Sequence, residues 1–337
     1  MEQGHWQCAA RVGRLVARLA ILVQDGAPIH RRTRLVRALL LFLDGIGLGD
    51  DDPNLNPFAA ARLPTLNALS GGHKWLRTTP RLDSGRAVFI PTDAQLGVAG
   101  RPQSATGQAA ILTGRNVPAE IGEHYGPYPN EAVRAILAEG NLHTHLSARG
   151  LRTARLDAHP PHYLAELERG KRLRTAMQHA AYVANVPLPS LDDLKACRAL
   201  SADFLGDGWR TVLKLSDVPV HTPIQAGALL AELTRRYHFS LFSTWITDEI
   251  GHHRDLGRAI AFLERFDAVL AGLLDAWDDS EGVIVITSDH GNLEDLSHRK
   301  HTHNAVPSVI IGAARHQIAD QISALTDIAP ALLSLFG

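Results

Sequence analysis

VIVITSDHGNLEDLSHRKHTHNAVP, Val283 to Pro307, is the stretch whose reading decides the architecture. Val283 to Thr287 is an apolar β-branched run of the kind that forms a buried strand. It delivers Ser288-Asp289-His290-Gly291-Asn292, and a second histidine cluster follows before the chain turns apolar again. In open α/β sheets the ligand crevice lies beyond the carboxyl ends of the strands, so an Asp-His pair leaving such an end stands where chemistry is placed. Gly291 gives the backbone freedom to turn sharply behind the pair.

The same pattern recurs on both sides of the chain. Ala38 to Leu43 is a continuous apolar run, as expected of a strand buried on both faces, and it ends in Asp44-Gly45-Ile46-Gly47-Leu48-Gly49. The glycines invite a dinucleotide-loop reading, but Asp50-Asp51-Asp52-Pro53 follows and would repel a pyrophosphate. His238 to Ile246 empties into Asp248-Glu249-Ile250-Gly251-His252, so three strands end in carboxylates. A helix is expected from Leu256 to Trp277, with Ile260, Leu263, Phe266, Leu270, Leu273 and Leu274 as a stripe packed on the sheet. Ser308 to Ile311 reads as a last strand and Thr326 to Leu335 as a closing helix.

Arg101 to Arg115 carries Ser104 and Thr106 into a short helical stretch that Gly114 can end. A serine there is either an ordinary helix cap or a nucleophile. From 120 to 236 the apolar patterns shorten and arginines multiply, which reads as an inserted α+β cap domain. Within it Asn130 to Glu139 and Thr222 to Arg236 are expected helices, and Leu151 to Leu156 a strand. Residues 1–35, Arg-rich and ahead of the first strong strand, read as an N-terminal extension, flexible or partly helical. The core is then 36–119 and 237–337.

With 45% hydrophobic residues in 337, a substantial core is available. Thirty-four basic against 35 acidic side chains leave a net charge of -1, so no nucleic acid partner is expected. No apolar run is long enough to cross a bilayer; Leu15 to Val23 is interrupted by Arg18, and neither a membrane span nor a signal peptide is expected. Two cysteines, Cys8 and Cys197, argue against a disulfide framework and fit a cytoplasmic setting. The unusual count is histidine, at 18, which directs attention to metal and acid-base sites.

Asp44, Asp248, His252, Asp289, His290 and His301 are hard carboxylate and imidazole ligands arriving from several strand ends, the donor set of a two-metal site. The ordered pattern resembles the alkaline phosphatase superfamily, and within it the cofactor-independent phosphoglycerate mutases and the phosphopentomutases. Asp44 to Gly49 and Gly251-His252-His253-Arg254-Asp255 look like the phosphopentomutase versions, whereas Ser288 to Asn292 and His301 to Pro307 look closer to those of the mutases. The resemblance implies an alkaline-phosphatase-like α/β core, a largely parallel sheet sandwiched by helices. It implies two divalent ions, Mn or Zn. One would be held by Asp44, Asp289, His290 and the Ser104 oxygen, the other by Asp248, His252 and His301.

Ser104 rather than Thr106 matches the nucleophile, standing ten positions before Gly114, and His301 rather than His303 matches the last ligand, six before Pro307. His298 and His303 take no carried-over role. The activity implied is phosphoryl transfer through a phosphoserine on a small phosphorylated metabolite, of the phosphomutase type. The alternative is a phosphomonoesterase on the same scaffold, or a non-catalytic metal- or phosphometabolite-binding module. Sulfatase action is disfavoured, because Ser104-Ala105-Thr106-Gly107-Gln108 is not a C/S-x-P-x-R setting. For substrate contacts the candidates are Arg115 and the basic run from Arg152 through Arg155, His159, His162, Lys171 and Arg172 to Arg174, against the plainer reading of a solvated basic face.

Overall fold

In the computed structural model, which describes residues 36–337, the apolar runs become the centre of one seven-stranded sheet. The extension 1–35 lies outside the described residues. The strands are β1 (Arg37–Leu43), β2 (Leu82–Asp83), β3 (Ala87–Thr92), β4 (Thr153–Arg155), β5 (Phe239–Thr244), β6 (Gly282–Thr287) and β7 (Val306–Ile311), in the order β2-β3-β7-β6-β1-β5-β4. β6, β1, β5 and β4 run parallel, and β7, β3 and β2 complete the sheet through antiparallel pairings. The α/β architecture and largely parallel sheet are as the sequence implies.

Strand β1 shows why such a run must be apolar throughout. Leu39, Leu41 and Leu43 belong to the core on one face, with Leu263, Phe266 and Leu270, while Ala38, Leu40 and Phe42 belong to the other, with Ala109, Ala110 and Leu112. Side chains alternate across a strand, so burial on both faces demands an unbroken run. The helices that matter for the site are α1 (Ser104–Thr113), α2 (Glu131–Glu139), α3 (Ala176–Val183), α4 (Pro223–Thr234), α5 (Ile246–His253), α6 (Leu256–Ala276) and α7 (Ile328–Leu333). α2 starts on Asn130, whose side chain accepts from the Val133 N–H, and α4 starts on Thr222 with a capping box to Gln225. The closing helix is broken into α7 and flanking turns of tighter helix, Leu325–Asp327 and Ser334–Phe336. No helix among the described residues is long and apolar enough to cross a membrane.

Residues 120–236, expected as an inserted cap, are woven into these layers. β4 pairs in parallel with β5 at the sheet edge. Val133 and Leu137 of α2, with Met177 and Ala180 of α3, join the core on one face. Phe204 and the α4 residues Leu229, Leu230 and Leu233 join the core on the other. A small separate cluster of Ala158, Leu194, Ala199, Trp209 and Val218 is the part with packing of its own.

Helices α4 and α6 cross with almost no side chain between them. A Cβ on Gly227 would stand 1.9 Å from the Val269 carbonyl oxygen, and one on Gly272 would stand 2.2 Å from that of Ile224. Both obstacles are backbone, so neither can swing aside. Gly227→Ala is expected to lower stability by about 1–3 kcal/mol as the helices are forced apart, read as a fall in Tm; an unchanged Tm would mean the crossing can relax.

His143 is fully buried with its ring edge-on to Phe239 at 5.2 Å, and neither ring nitrogen has a hydrogen-bond partner among the described residues. Burial, with Arg155 nearby, brings its pKa down to about 3 from 6.5. Below about pH 6.5 the unfolded chain takes up a proton that the folded one refuses until about pH 3. Stability is therefore unaffected by this group above that window and falls through it, by up to ~1.4 kcal/mol per pH unit. Denaturant titrations of His143→Phe between pH 7 and pH 4 are expected to show a shallower acid decline than those of the wild type (~pH values spanning the window).

Candidate metal centre

β6, β1 and β5 lie side by side in matched register, with Phe42 opposite Thr287 and Leu43 opposite Thr244, so the residues that follow leave the sheet at one level. Asp44 follows β1 directly, and Asp289 and His290 follow β6 after Ser288. After β5 the chain turns through Trp245 into α5, so Asp248 and His252 sit one helical turn apart rather than on a strand end. His301 comes from the β6–β7 loop.

Ser104 is the first residue of α1; the cap position is Gln103, which makes no side-chain capping bond. The Ser104 hydroxyl therefore does not serve as a helix cap. It lies buried, its Oγ 3.0 Å from His290 Nε2. That nitrogen is 3.5 Å from Asp44 Oδ1 and 3.6 Å from Asp289 Oδ2. On the other side His252 Nε2 is 3.2 Å from Asp248 Oδ2, and His301 Nε2 is 3.7 Å from Asp248 Oδ1. The His290 and His301 rings stack at 3.7 Å, so the two groups adjoin. Asp44, Asp289 and His290 form one set of mutually close donor atoms, and Asp248, His290 and His301 a second.

Several features fit divalent cations here. His252 Nδ1 is 2.9 Å from the Arg299 carbonyl oxygen and His301 Nδ1 is 2.8 Å from that of Pro102. A carbonyl only accepts, so each Nδ1 carries a proton and each ring turns its Nε2 inward, towards Asp248. Those two Nε2 atoms are 3.4 Å apart, a contact that a cation or a proton must relieve. Asp44 Oδ1 is buried without a hydrogen-bond partner among the described residues. Burial, then Asp289 and Asp248, push the Asp44 carboxyl well above the usual range. Burial, then Asp248, bring Asp289 up to about 7. Burial acts on Asp248 too, but the hydrogen bond with His252 and the charges of His290 and His301 outweigh it and hold that carboxyl below the usual range. Burial lowers His290, and burial with His290 brings His301 down to about 4. Such a cluster binds metal in its deprotonated form, releasing the protons that repulsion had stored.

The supporting residues escaped the sequence reading. Gln108 donates to Asp289 Oδ2 at 3.1 Å and to Asp44 Oδ2 at 3.3 Å; four places after Ser104, it shares that residue's helix face, a signal the spacing did carry. Asn292 donates to Asp248 Oδ1 at 2.7 Å. Glu294, 1% exposed, accepts from the backbone N–H groups of Gly47 at 3.0 Å and Asn292 at 2.8 Å, from the Asn304 amide at 2.9 Å, and from the Thr302 hydroxyl. A Cβ on Gly291 would stand 2.2 Å from Glu294 Oε1, and one on Gly47 2.3 Å, so these glycines admit the carboxylate. Gly291, expected to serve a turn, serves this approach instead.

Besides Ser104, Asp248, His252 and His301, a cavity of about 400 Å3 is lined by Arg101, Gln103, Pro127, Arg299 and Lys300. None of the expected substrate contacts lines it. Arg115 forks between Glu120 and Glu139. Arg155 is buried against Asp157 and Ser243, with His159 3.5 Å from the same Asp157. The Arg152 side chain is exposed, Arg172 pairs with Glu166, and Arg174 covers the Tyr182 ring. His298 lies 3.7 Å from Asp295, and His303 contacts Gln95 at 3.0 Å.

Residues 224–337, which carry five of the seven expected ligands, match the family model described as Metalloenzyme superfamily. The 2,3-bisphosphoglycerate-independent phosphoglycerate mutase of Methylobacillus flagellatus is 33% identical over 114 residues, 32% of this chain and 22% of that one. That of Cereibacter sphaeroides is 27% identical over 219 residues, 62% and 38% of the two chains. The chain thus spans less than half the length of these curated relatives. A solved Leishmania mexicana phosphoglycerate mutase, crystallised at low cobalt concentration, has the same fold, with a TM-score of 0.54 and 12% identity over 91% of this chain and 96% of that one. The strand-end ligand sets, the family match over residues 224–337 and the shared fold point the same way: the chain is similar to metalloenzymes of the alkaline phosphatase superfamily and, among them, to the cofactor-independent phosphoglycerate mutases.

Proposed function

We propose that this protein transfers phosphoryl groups through Ser104, with two divalent ions, on a small phosphorylated metabolite. The observation that carries the reading is the Ser104 hydroxyl, buried 3.0 Å from His290 Nε2 at the edge of a nest of three carboxylates and three imidazoles. Asp44, Asp289, His290 and Ser104 would hold one ion and Asp248, His252 and His301 the other, as mixed Asp and His donors suit Mn or Zn. When bound, such ions lower the hydroxyl pKa and neutralise charge on the transferring group.

The chain's own residues supply the rest. Ser104 Oγ, its proton lost to solvent, forms a bond to phosphorus as the bond from phosphorus to the leaving oxygen breaks, and the leaving oxygen departs with the electron pair and takes up a proton from solvent. At the first position of the ten-residue α1, Ser104 places the phosphorylated oxygen against the N–H groups of the helix's opening turn, which favour negative charge. Gln108 and Asn292 hold the carboxylates in place.

The phosphoserine must then pass its group to water or to a second hydroxyl of the retained substrate. Between these, the geometry favours water. No residue of 128–236 lines the cavity, and the His252 side chain is 43% exposed, so the ligand set opens to solvent. A metal-dependent phosphomonoesterase is the reading this supports best. A phosphomutase is the second, favoured by similarity to the phosphoglycerate mutases.

Elemental analysis is expected to find up to two divalent ions per chain (~2 by the donor count). Chelation should lower Tm, and Mn or Zn should restore it, by the linkage of metal binding to folding. Glu294→Ala, which frees the loops without touching a ligand, should weaken metal affinity about 10–100-fold. Protein that takes up no ion when supplied would end the reading.

Ser104→Ala should abolish labelled phosphoenzyme while part of the metal is retained; full activity in that variant would move the nucleophile elsewhere. Phosphorus NMR on a panel of phosphorylated sugars and glycerates separates the two acceptors. Free phosphate is expected as the main product, and a phosphoryl group moved within the substrate would favour the mutase instead.

A further inference from the structure

The basic run of the sequence takes no part in the metal centre, yet folding gathers much of it rather than dispersing it. Arg169, Lys171 and Arg172 occupy the loop between the helix Pro161–Glu168 and α3, and Arg174 stands just before the Thr175 cap of α3. Arg134 joins them from α2, close enough to Arg174 that both bear on His179: after burial, Arg134 and then Arg174 hold that imidazole's pKa below its ordinary value. Arg172 pairs with Glu166. Arg134, Arg169, Lys171 and Arg174 have no ion-pair partner among the described residues, although Glu131 and Glu168 lie near them in sequence.

A solvated basic face accounts for cations that move freely in water, but not for cations that are held. The Arg174 guanidinium lies over the Tyr182 ring at 4.0 Å, and that of Arg172 over the Tyr163 ring at 4.8 Å. Arg134 Nη1 donates to the Pro129 carbonyl oxygen at 2.9 Å. Gln178 closes the capping box of α3 and accepts from the Tyr163 hydroxyl at 2.8 Å, which ties the end of the loop to that ring. Such charges are in place before a partner arrives, so binding has less ordering to overcome. Beside them two large apolar side chains stand in water, Leu173 at 54% and Tyr182 at 58% exposure. Arginine forks suit carboxylates, and apolar side chains left in water gain by being covered. Other polyanions fit less well. Arg174 already covers one face of Tyr182, so the ring is no open platform for a base. A bilayer surface calls for a helix with a broad apolar face, and α3 buries its own against the core through Ala176, Met177, Ala180 and Ala181.

We propose that Arg134, Arg174 and Tyr182, flanked by Arg169, Lys171 and Leu173, form a docking surface for an acidic segment of a partner protein, in which carboxylates surround one or two apolar side chains. The surface includes none of the residues that line the cavity at Ser104, so it is independent of the phosphoryl-transfer reading. Fluorescence anisotropy tests it with the labelled peptide Glu-Glu-Leu-Glu-Glu-Phe-Glu-Glu and the full-length, metal-loaded protein at low salt. Binding is expected with a Kd below about 100 μM, weakening as salt rises. Serine in place of the peptide's leucine and phenylalanine should weaken it at least ~5-fold. Arg134→Gln/Arg174→Gln and, separately, Lys171→Glu/Tyr182→Ser should each weaken it at least ~10-fold, with Tm confirming that the variants fold. No binding by the wild type, equal binding of the serine peptide, or an affinity that survives the variants overturns the docking surface. Tighter binding of oligouridylate or of phosphatidylserine vesicles, lost in the same variants, overturns the choice of partner.

Discussion

Three carboxylates that repel one another are held together by the register of three parallel strands. Because β6, β1 and β5 pair in step, Asp44 and Asp289 leave the sheet at the same level, and Asp248 follows β5 in the first turn of α5. Burial on top of that proximity carries Asp289 up to about 7 and Asp44 higher than its usual range, while the histidines keep Asp248 ionised. The protein meets the repulsion with fixed donors, Gln108 to two of the carboxylates and Asn292 to the third. Positive charge placed in the nest would remove the rest of it, so residues that cost stability alone form donor groups that suit divalent ions.

What the sequence made legible follows from this arrangement. A run such as Ala38 to Leu43 or Val283 to Ile286 can be continuous and apolar only where both faces are covered, and an acidic residue straight after it marks the crevice end. The i, i+4 spacing of Asp248 and His252 was visible too, though its helix was read as a strand's continuation. Contacts made across the fold were not legible. Nothing local ties Asn292 to Asp248, 44 residues away, or Gly47 to Glu294, 247 away. Arg155 shows a signal that was present and passed over. Asp157 lies two residues further along an extended segment and so on the same side, where it claims the guanidinium before any substrate can.

The segment 120–236 was set apart because its apolar patterns are short, and the structure gives the reason for the shortness. β4 has three residues and lies at the edge of the sheet, so it needs less apolar length than the central strands. Helix α2 buries only the stripe of Val133, Ile136 and Leu137, and α3 is just eight residues long. The change in pattern length coincides with the edge of the sheet layer, where β4 pairs with β5. Of the site's ligand side chains His252 alone is exposed to a large extent, and that opening is what weighs towards water as the acceptor in the proposed reaction.

Glu294 shows how the site is set before any ion arrives. It reaches the β1 loop through Gly47, its own loop through Asn292, and the histidine loop through Thr302 and Asn304, so three segments far apart in sequence share one buried carboxylate. A buried charge with fewer donors would be costly, whereas four hydrogen bonds satisfy its lone pairs. Asp289 and His290 lie just before this loop and His301 just before Thr302, so locking the loops also fixes the distance between the two ligand sets. That ordering is completed on folding, and a buried glutamate outside both donor sets thereby holds together the loops that carry them.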